Sequence, residues 1–274
     1  MRFGFVTCVQ LGLAVMEEIY SVGGRLDVVL TLPDGQATSK SGRAYLDHFC
    51  QRHEVPLIKC QSINDETAIM SVKERQLDWL FVIGWSQIVG SEMLATPTQG
   101  CIGMHPTLLP EGRGRASIPW AILRGLKSTG VTMFRLDEGV DTGDVLGQVA
   151  FPLGENSTAT DVYGKVIEAH RQLIRGNWEA LSSGALKGLP QDEAVATYWA
   201  GRRPEDGEIL RSMTVNEALT LVRATTHPYP GAFWREGGHL IRVWSATRSS
   251  DSYGCAFRCM DGWIRAIDFE AESI

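Results

Sequence analysis

The sequence predicts an α/β fold with a mostly parallel β-sheet, followed by a small β-rich region at the end of the chain. Short apolar runs alternate with stretches in which apolar residues recur at helical spacing. This alternation is typical of a parallel sheet with crossover helices. One run, Trp79–Ile83, is apolar throughout, as expected of a strand buried on both faces. After Phe233 the pattern changes to short β runs separated by Gly turns, which predicts the β-rich region.

Size and charge narrow the function classes. With 274 residues the chain is longer than one typical domain, so we expect a large domain, 1–203, and a smaller one, 204–274. The formal charge of −6 argues against a large nucleic-acid footprint, because phosphate binding needs a basic face. No run approaches the length of a membrane span, and the start Met1–Val6 is typical of a strand rather than a signal peptide. We therefore expect a cytoplasmic protein without a membrane partner.

Two ligand classes lack their sequence motifs. The turn Cys8–Gly12, after the first strand, has neither the Gly-x-Gly-x-x-Gly pattern nor a P-loop, which argues against a dinucleotide redox cofactor. The six cysteines form no Cys-x-x-Cys pair and no His/Cys group with zinc-ligand spacing. We therefore expect reduced, mostly structural cysteines and no metal.

The remaining elements follow from periodicity and turn residues. Strands are predicted at Phe3–Val9, Leu26–Leu32, Pro56–Lys59, Cys101–His105, Val131–Leu136, Val145–Phe151 (an antiparallel edge), Leu240–Trp244, Cys255–Cys259 and Trp263–Phe269. Helices are predicted from Leu11, at Ala44–His53, Glu66–Arg75, from Ser117, at Thr160–Leu181 and at Thr214–Ala224. Pro33–Arg43 is predicted as an exposed loop and Gly184–Glu208 as a linker, because both are rich in Gly, Pro and charge.

Chemistry-bearing residues concentrate between Gly100 and Asp144. One apolar strand ends at His105, and the strand Val131–Leu136 is followed by several acids. Since the carboxyl ends of parallel strands face one crevice, we expect Asp141 to approach His105 and to fix its tautomer. A packed histidine and a solvated turn are the alternatives for these two residues.

Two further segments are candidates for ligand contact. Arg113 and Arg115 flank Gly114 just before a predicted helix start, a pattern that favours phosphate or carboxylate recognition, with plain solvation as the alternative. The segment Gly84–Val89 follows the apolar strand and predicts a wall for a planar ligand.

Five short motifs together resemble the core of the folate-dependent formyltransferases. They are His-Pro-Thr-Leu-Leu-Pro from His105, Arg-Gly-Arg-Ala from Arg113, Pro-Trp-Ala-Ile from Pro119, Thr-Gly-Val-Thr from Thr129, and Asp-Glu-Gly-Val-Asp-Thr-Gly-Asp from Asp137. The resemblance extends to the opening strand, to Gly84–Leu94 and to the segment Arg223–Phe233, which is similar to the family's hinge into its C-terminal domain. It implies a Rossmann-like formyltransferase fold with a catalytic domain, 1–203, a shortened OB-like domain, 204–274, and N10-formyltetrahydrofolate as co-substrate.

The resemblance also assigns roles. It implies that His105 stabilises the developing oxyanion and that Asp141 orients His105 and assists proton removal. The family's oxyanion-binding Asn falls at Gly103, so Ser86, Gln87, Thr107, a backbone N–H exposed at Gly103, or a bound water are candidates for a substitute donor. The pterin site implied is Trp85, Ser86, Gln87, Ile88, Val89, Leu109, Val140, Asp141, Thr142, Gly143 and Asp144, and the acceptor site is Arg113, Gly114 and Arg115.

The function implied is transfer of a formyl group to the primary amine of a small substrate, for which we favour a nucleotide-linked amino sugar. The acidic chain and the short segment 204–274 argue against tRNA. The alternatives are a methionyl-tRNA formyltransferase and, because of Gly103, a weakened folate-binding or regulatory homologue or a transferase of a different acyl group. A homodimer is left open.

Overall fold

The computed structural model describes residues 1–36 and 42–273. Within them, seven strands form one sheet in the order β3-β2-β1-β4-β5-β7-β8. Their bounds are β1 Phe3–Val6, β2 Val28–Thr31, β3 Leu57–Lys59, β4 Trp79–Val82, β5 Gly100–His105, β7 Ser128–Arg135 and β8 Val145–Pro152. The strands from β3 to β5 pair in parallel, for example Phe5 with Val29 on one side and with Phe81 on the other. The prediction of a mostly parallel sheet is confirmed.

One pairing differs from the prediction. Strand β7 runs antiparallel to β5, with His105 opposite Thr132 and Ile102 opposite Arg135. The carboxyl ends of these two strands therefore lie at opposite edges of the sheet, so the prediction that they face one crevice is wrong. The residues after β7 fold back instead, because the Asp144 carbonyl accepts a hydrogen bond from the Arg135 amide at 2.9 Å and closes the loop 136–143. Strand β8 lies at the edge of the sheet, as predicted.

Helices separate the strands as the periodicity indicates. Their bounds are α1 Gln10–Ser21, α2 Asp47–Arg52, α3 Glu66–Glu74, α4 Ser91–Ala95, α5 Ser117–Leu123, α6 Ala159–Ser183 and α7 Val215–Thr225. The short helix α4 was not predicted. The predicted loop Pro33–Arg43 falls partly outside the described residues, and its described part includes a short 3-10 turn at Asp34–Gln36.

A second, two-stranded sheet lies inside segments predicted as loops. Strand β6, Arg113–Gly114, pairs with β9, Tyr198–Trp199. The predicted linker Gly184–Glu208 thus contributes a strand, which the Gly and Pro content of that segment concealed.

The described residues divide into two compact units, each with its own core. The first comprises Met1–Gly114, Gly130–Phe151 and Val166–Tyr198, and the second comprises Arg115–Thr129, Pro152–Lys165 and Trp199–Ile274. The second contains an antiparallel sheet, β10-β11-β13-β12, in agreement with the predicted β-rich region. Its strands are β10 Ala232–Glu236, β11 His239–Ser249, β12 Ala256–Cys259 and β13 Gly262–Ser273. The predicted boundary between 203 and 204 stays a prediction.

The structure shows the state of the cysteines and the character of the helices. All six cysteines are free thiols, and only Cys255 is partly exposed. Burial raises the pKa of Cys101 to about 12, which keeps that thiol protonated. Across the described part of the chain, no helix combines the length and apolar character needed to cross a bilayer.

Candidate active site

His105 ends strand β5 and is held between two hydrogen-bond acceptors. Its ring is buried, with Nε2 at 2.8 Å from the Gly112 carbonyl oxygen and Nδ1 at 3.6 Å from Asp141 Oδ2. A carbonyl oxygen only accepts, so this contact places a proton on Nε2. The distance of 3.6 Å between Nδ1 and Asp141 Oδ2 is longer than a hydrogen bond. The geometry leaves Nδ1 able to turn to a substrate atom beside the carboxylate.

Asp141 reaches His105 from a tightly constrained loop. Its φ is +57°, a left-handed conformation that is uncommon for a residue other than Gly, and its Oδ2 accepts a hydrogen bond from the Gly114 amide at 2.8 Å. The Asp137 carboxylate closes the same loop, since Oδ1 accepts from Gly139 N and from Thr142 Oγ1. A Cβ on Gly143 would lie 1.8 Å from the Arg135 carbonyl oxygen, so that position requires Gly.

Arg113 does not present its charge to a ligand, contrary to the acceptor role predicted for it. The side chain is fully buried, and all five guanidinium N–H groups have partners in Gln191, Glu193 and Tyr198. The hydrogen bond with Glu193 is the largest cause of the raised pKa of Arg113. Sequence reasoning predicted solvation or anion binding because it did not place these partners, which lie 78 to 85 positions away.

The other two residues of the predicted acceptor site, Gly114 and Arg115, differ in what they offer to a ligand. The Gly114 amide is used by Asp141, so it does not offer a donor to an acceptor molecule. Arg115 has an exposed side chain, and its amide bonds to the Trp199 carbonyl. Arg115 is therefore the one member of that trio whose charge faces solvent.

The loop 84–89 has an anchored and an exposed part. The Gln87 amide is occupied, because Oε1 accepts from Ile63 N at 3.0 Å and Nε2 donates to the Gln61 carbonyl at 2.7 Å. Gln87 is thus unsuited to the oxyanion-binding role for which the sequence made it a candidate. Trp85 packs on the first unit's core, and its buried Nε1 has no hydrogen-bond partner in the part of the chain that the structure describes. Ile88 is 80% exposed, a high value for an apolar side chain. Ser86 is exposed and Val89 packs on the core.

The other residues predicted to contact the pterin also differ in how far their side chains are exposed to solvent. Leu109 is buried, and its amide bonds to Thr132 Oγ1. Val140 is 55% exposed at the tip of the Asp141 loop. Thr142 and Asp144 are partly buried, and Thr142 is committed to Asp137. Among these residues, Val140 offers the most apolar surface to a ligand.

The space beside Gly103, where the sequence resemblance predicts an Asn, is closed by apolar side chains. A Cβ built on Gly103 would lie 2.7 Å from Leu136 Cδ2 and 3.0 Å from Phe134 Cε1.

Thr107, two residues beyond His105, is a candidate donor with a free side-chain group in the described part of the chain. Its hydroxyl is buried and, among the described residues, has no hydrogen-bond partner. Buried polar groups are nearly always satisfied, so this hydroxyl calls for a partner that the protein itself does not supply.

A sequence profile of formyl transferases matches residues 18–176, more than half of the chain. The chain belongs to the formyl transferase family. The resemblance of the five short sequence motifs to this family is thereby confirmed.

Solved formyltransferases share the fold of this family member. An N-formyltransferase from Helicobacter canadensis, in complex with folinic acid and dTDP-3-aminofucose, is 19% identical, with a TM-score of 0.69, and 97% of this chain and 98% of that chain are covered. Methionyl-tRNA formyltransferase from Clostridium thermocellum is 19% identical, with a TM-score of 0.65 and coverage of 100% and 99%. HypX from Aquifex aeolicus, in complex with tetrahydrofolic acid, is 17% identical, with a TM-score of 0.71. The match covers 98% of this chain but only 44% of HypX.

Two features of the site in this family member were not predicted from the sequence. The segment 189–198, predicted as part of a linker, supplies Gln191, Glu193, Thr197 and Tyr198 to the site. Its only signal was the aromatic pair Tyr198-Trp199 after a Gly- and Pro-rich stretch. His170 on α6 was also missed. It is completely buried, and burial, helped by the nearby charge of His105, lowers its pKa to about 4.

Proposed function

We propose that this formyltransferase moves a formyl group from N10-formyltetrahydrofolate to the primary amine of a small substrate, a nucleotide-linked amino sugar. The observation that carries the proposal is the pair of His105 Nδ1 and Asp141 Oδ2, 3.6 Å apart, in a chain of the formyl transferase family. Catalytic hydrogen bonds are often long before substrate binds, so this distance fits a site ready for a ligand.

The two residues have distinct roles in this proposal. In its doubly protonated form, with Nε2 fixed by the Gly112 carbonyl, His105 donates from Nδ1 to the formyl oxygen as negative charge develops there. Asp141, fixed by the Gly114 amide, orients that ring and takes up the proton that the attacking amine gives up. The bond between the formyl carbon and the folate nitrogen then breaks, and that nitrogen receives the proton. Thr107 is the substitute for the absent Asn, because its buried hydroxyl has an unused donor. Gly103 itself cannot supply a side-chain donor.

The residues present fit a folate. N10-formyltetrahydrofolate supplies the formyl group when bound, and its pterin ring carries both hydrogen-bonding edges and a flat apolar face. The buried Thr107 hydroxyl and Trp85 Nε1 have no hydrogen-bond partner within residues 1–36 and 42–273. Exposed apolar side chains at Ile88 and Val140 provide surface for a planar ring. We assign the folate to these residues, together with the backbone of the loops 84–89 and 140–144.

A small acceptor is favoured over tRNA by charge. The chain carries 26 basic and 32 acidic side chains, whereas tRNA binding needs a broad basic surface. The relative from Helicobacter canadensis was solved with a dTDP-linked amino sugar. Arg115, the exposed member of the predicted acceptor site, would meet an anionic group of such a substrate.

The test is a formylation assay with N10-formyltetrahydrofolate and a panel of dTDP- and UDP-linked amino sugars, read by mass spectrometry of the sugar. We expect one acceptor to gain a formyl group, and the gain to vanish in His105→Ala. His239→Ala, at an exposed histidine of the β11 strand, is the matched control and should keep full activity.

Two results would contradict the proposal. Formylation of initiator methionyl-tRNA, with steep loss of binding as salt is raised, would establish the tRNA alternative. Tight binding of the folate without its consumption across the whole amine panel would establish a regulatory folate-binding protein.

A further inference from the structure

The segment Leu189–Tyr198, which we call the strap, crosses both loops that flank His105. Leu189 exchanges two backbone hydrogen bonds with Val145, at 2.8 and 2.9 Å. At its other end, the Thr197 amide donates to the Pro110 carbonyl, and Thr197 Oγ1 accepts from Gly112 N at 2.8 Å. Gly112 is the residue whose carbonyl fixes His105. The strap is therefore bonded to the surroundings of both partners of the histidine ring.

Gln191, in the middle of the strap, makes four hydrogen bonds with its side-chain amide. Nε2 donates to the Asp141 carbonyl at 2.9 Å and to the Gly143 carbonyl at 2.8 Å. Oε1 accepts from Arg113 Nε at 3.1 Å and from Arg113 Nη2 at 2.8 Å. Both N–H groups and both lone pairs of the amide are thus used, so its orientation is fully determined.

Arg113 in turn holds Gln191 in place from the interior. Its guanidinium is fully buried and also bonds to Glu193 and Tyr198 of the strap. A buried Arg with every donor satisfied is a rigid base, because any displacement leaves charged donors without partners. The side chain predicted to bind an anion therefore serves to orient an amide.

The contacted backbone is the strained part of the site. Asp141 has a φ of +57°, which a residue other than Gly keeps only where the surroundings enforce it. Gln191 Nε2 binds the carbonyl of that same residue and the carbonyl two residues later. Loss of these two bonds frees the conformation that aims the Asp141 carboxylate at His105.

We propose that Gln191, supported by Arg113, is a positioning residue that holds Asp141 against His105 during formyl transfer. This inference rests on the proposed function of the His105 and Asp141 pair. Gln191 touches no reacting atom, and its effect passes through the backbone of Asp141. A displacement of about 1 Å in such a group lowers turnover by up to about 100-fold.

The decisive substitution is Gln191→Glu. It keeps the size of the side chain and the acceptor for Arg113, but it replaces the donor to the two carbonyls by a second acceptor. We expect kcat to fall between about 10- and 100-fold. Asn177→Asp is the matched control, because Asn177 Nδ2 also donates to a backbone carbonyl, that of Leu173, but both residues belong to α6 and not to the strap. It should leave kcat within about twofold.

A double-mutant cycle with Asp141→Asn separates positioning from general structural loss. If Gln191 acts through Asp141, Gln191→Glu should lower the residual activity of the Asp141→Asn enzyme by less than about twofold. Gln191→Met, which removes all four bonds without adding charge, repeats the cycle should the Glu variant not fold. Full multiplicative loss in both cycles would overturn the proposal.

A readout that needs no activity keeps the proposal distinct from the proposed function. The side-chain ¹⁵N chemical shifts of His105, assigned with His105→Ala, should move in Gln191→Glu in the same direction as in Asp141→Asn, and stay unchanged in Asn177→Asp. Unchanged shifts in Gln191→Glu would overturn the positioning role. Absence of formyl transfer by the wild-type protein would overturn the proposed function alone, since the shifts still report whether Gln191 holds Asp141 beside the ring.

Discussion

Replacing Gly103 by Asn would introduce a side chain at the position where the sequence resemblance predicts an oxyanion-binding Asn, and the structure argues against a benefit. The new Cβ would lie 2.7 Å from Leu136 Cδ2 and 3.0 Å from Phe134 Cε1. Leu136 is half-buried and has some freedom to move, whereas Phe134 is only 2% exposed and is enclosed. The carboxamide beyond that Cβ needs still more space.

The expected cost combines three effects. Overpacking costs about 1–3 kcal/mol, and a buried amide without partners costs about 1–3 kcal/mol more. Asn has less backbone freedom than Gly in the unfolded chain, which stabilises the folded state by about 0.4–1 kcal/mol. This gain applies here because Gly103 does not adopt a positive φ. We expect a net loss of about 1–5 kcal/mol, centred on about 3 kcal/mol, which corresponds to a fall in Tm of roughly 2–20 °C. Formyl transfer should be reduced rather than raised.

Thermal unfolding and the formylation assay measure both effects in one preparation. Leu136→Ala in the same chain serves as the control, since it opens space beside Gly103. In the double variant Gly103→Asn with Leu136→Ala, the loss of stability should be smaller than the sum of the two single losses. A Gly103→Asn protein as stable as the wild type and faster in formyl transfer would refute this reasoning, because the space would then be open to a side chain.

Three further predictions concern the charged and titrating groups. His105→Ala should lower turnover by at least about 10² while the protein still folds. Asp141→Asn should lower turnover more than Asp144→Asn, and both are measured by formylation rate; the reverse ranking would show that the wrong aspartate has been assigned. Arg113→Ala should lower the free energy of unfolding in urea by about 3 kcal/mol, because it empties a buried site and leaves Gln191 Oε1 without donors. Glu193→Ala should lower it by less, since that carboxylate is 68% exposed. Burial lowers the pKa of His170 from its ordinary 6.5 to about 4, so between these values the unfolded chain binds a proton that the folded chain does not. The free energy of unfolding is therefore highest above about pH 6.5 and should fall by about 2 kcal/mol by pH 5. Unfolding curves of His170→Leu at the two pH values should lack this difference.

Periodicity and apolar content were enough to predict the sheet, because buried parallel strands such as Trp79–Val82 are apolar at every position. They could not predict the direction of β7. Its sequence Ser-Thr-Gly-Val-Thr-Met-Phe-Arg has the same apolar character in either direction, and the pairing of His105 with Thr132 depends on the loops at each end. The motifs nevertheless led to His105 and Asp141, which the structure brings within 3.6 Å through a loop that folds back.

The supporting residues were harder to infer. Arg113 and Gln191 both carry polar groups that a local pattern assigns to solvent, and their mutual contact spans 78 positions of chain. Burial of a guanidinium becomes favourable only when all its partners are assembled, and no local window contains them. Thr107 illustrates the same limit, since an unpartnered hydroxyl is recognised only once its surroundings are known.

The order of these parts along the chain has a consequence for synthesis. The last strand of the seven-stranded sheet ends at Pro152, whereas the strap begins at Leu189. A nascent chain that has not yet reached Leu189 already holds every strand of that sheet, but Gly112 lacks its Thr197 partner and Asp141 lacks the amide that binds its carbonyl. Since chains fold from the N-terminal end as they emerge, the sheet forms before the positions of His105 and Asp141 are fixed. Under the proposed function, formyl transfer therefore begins only after the ribosome has delivered the strap.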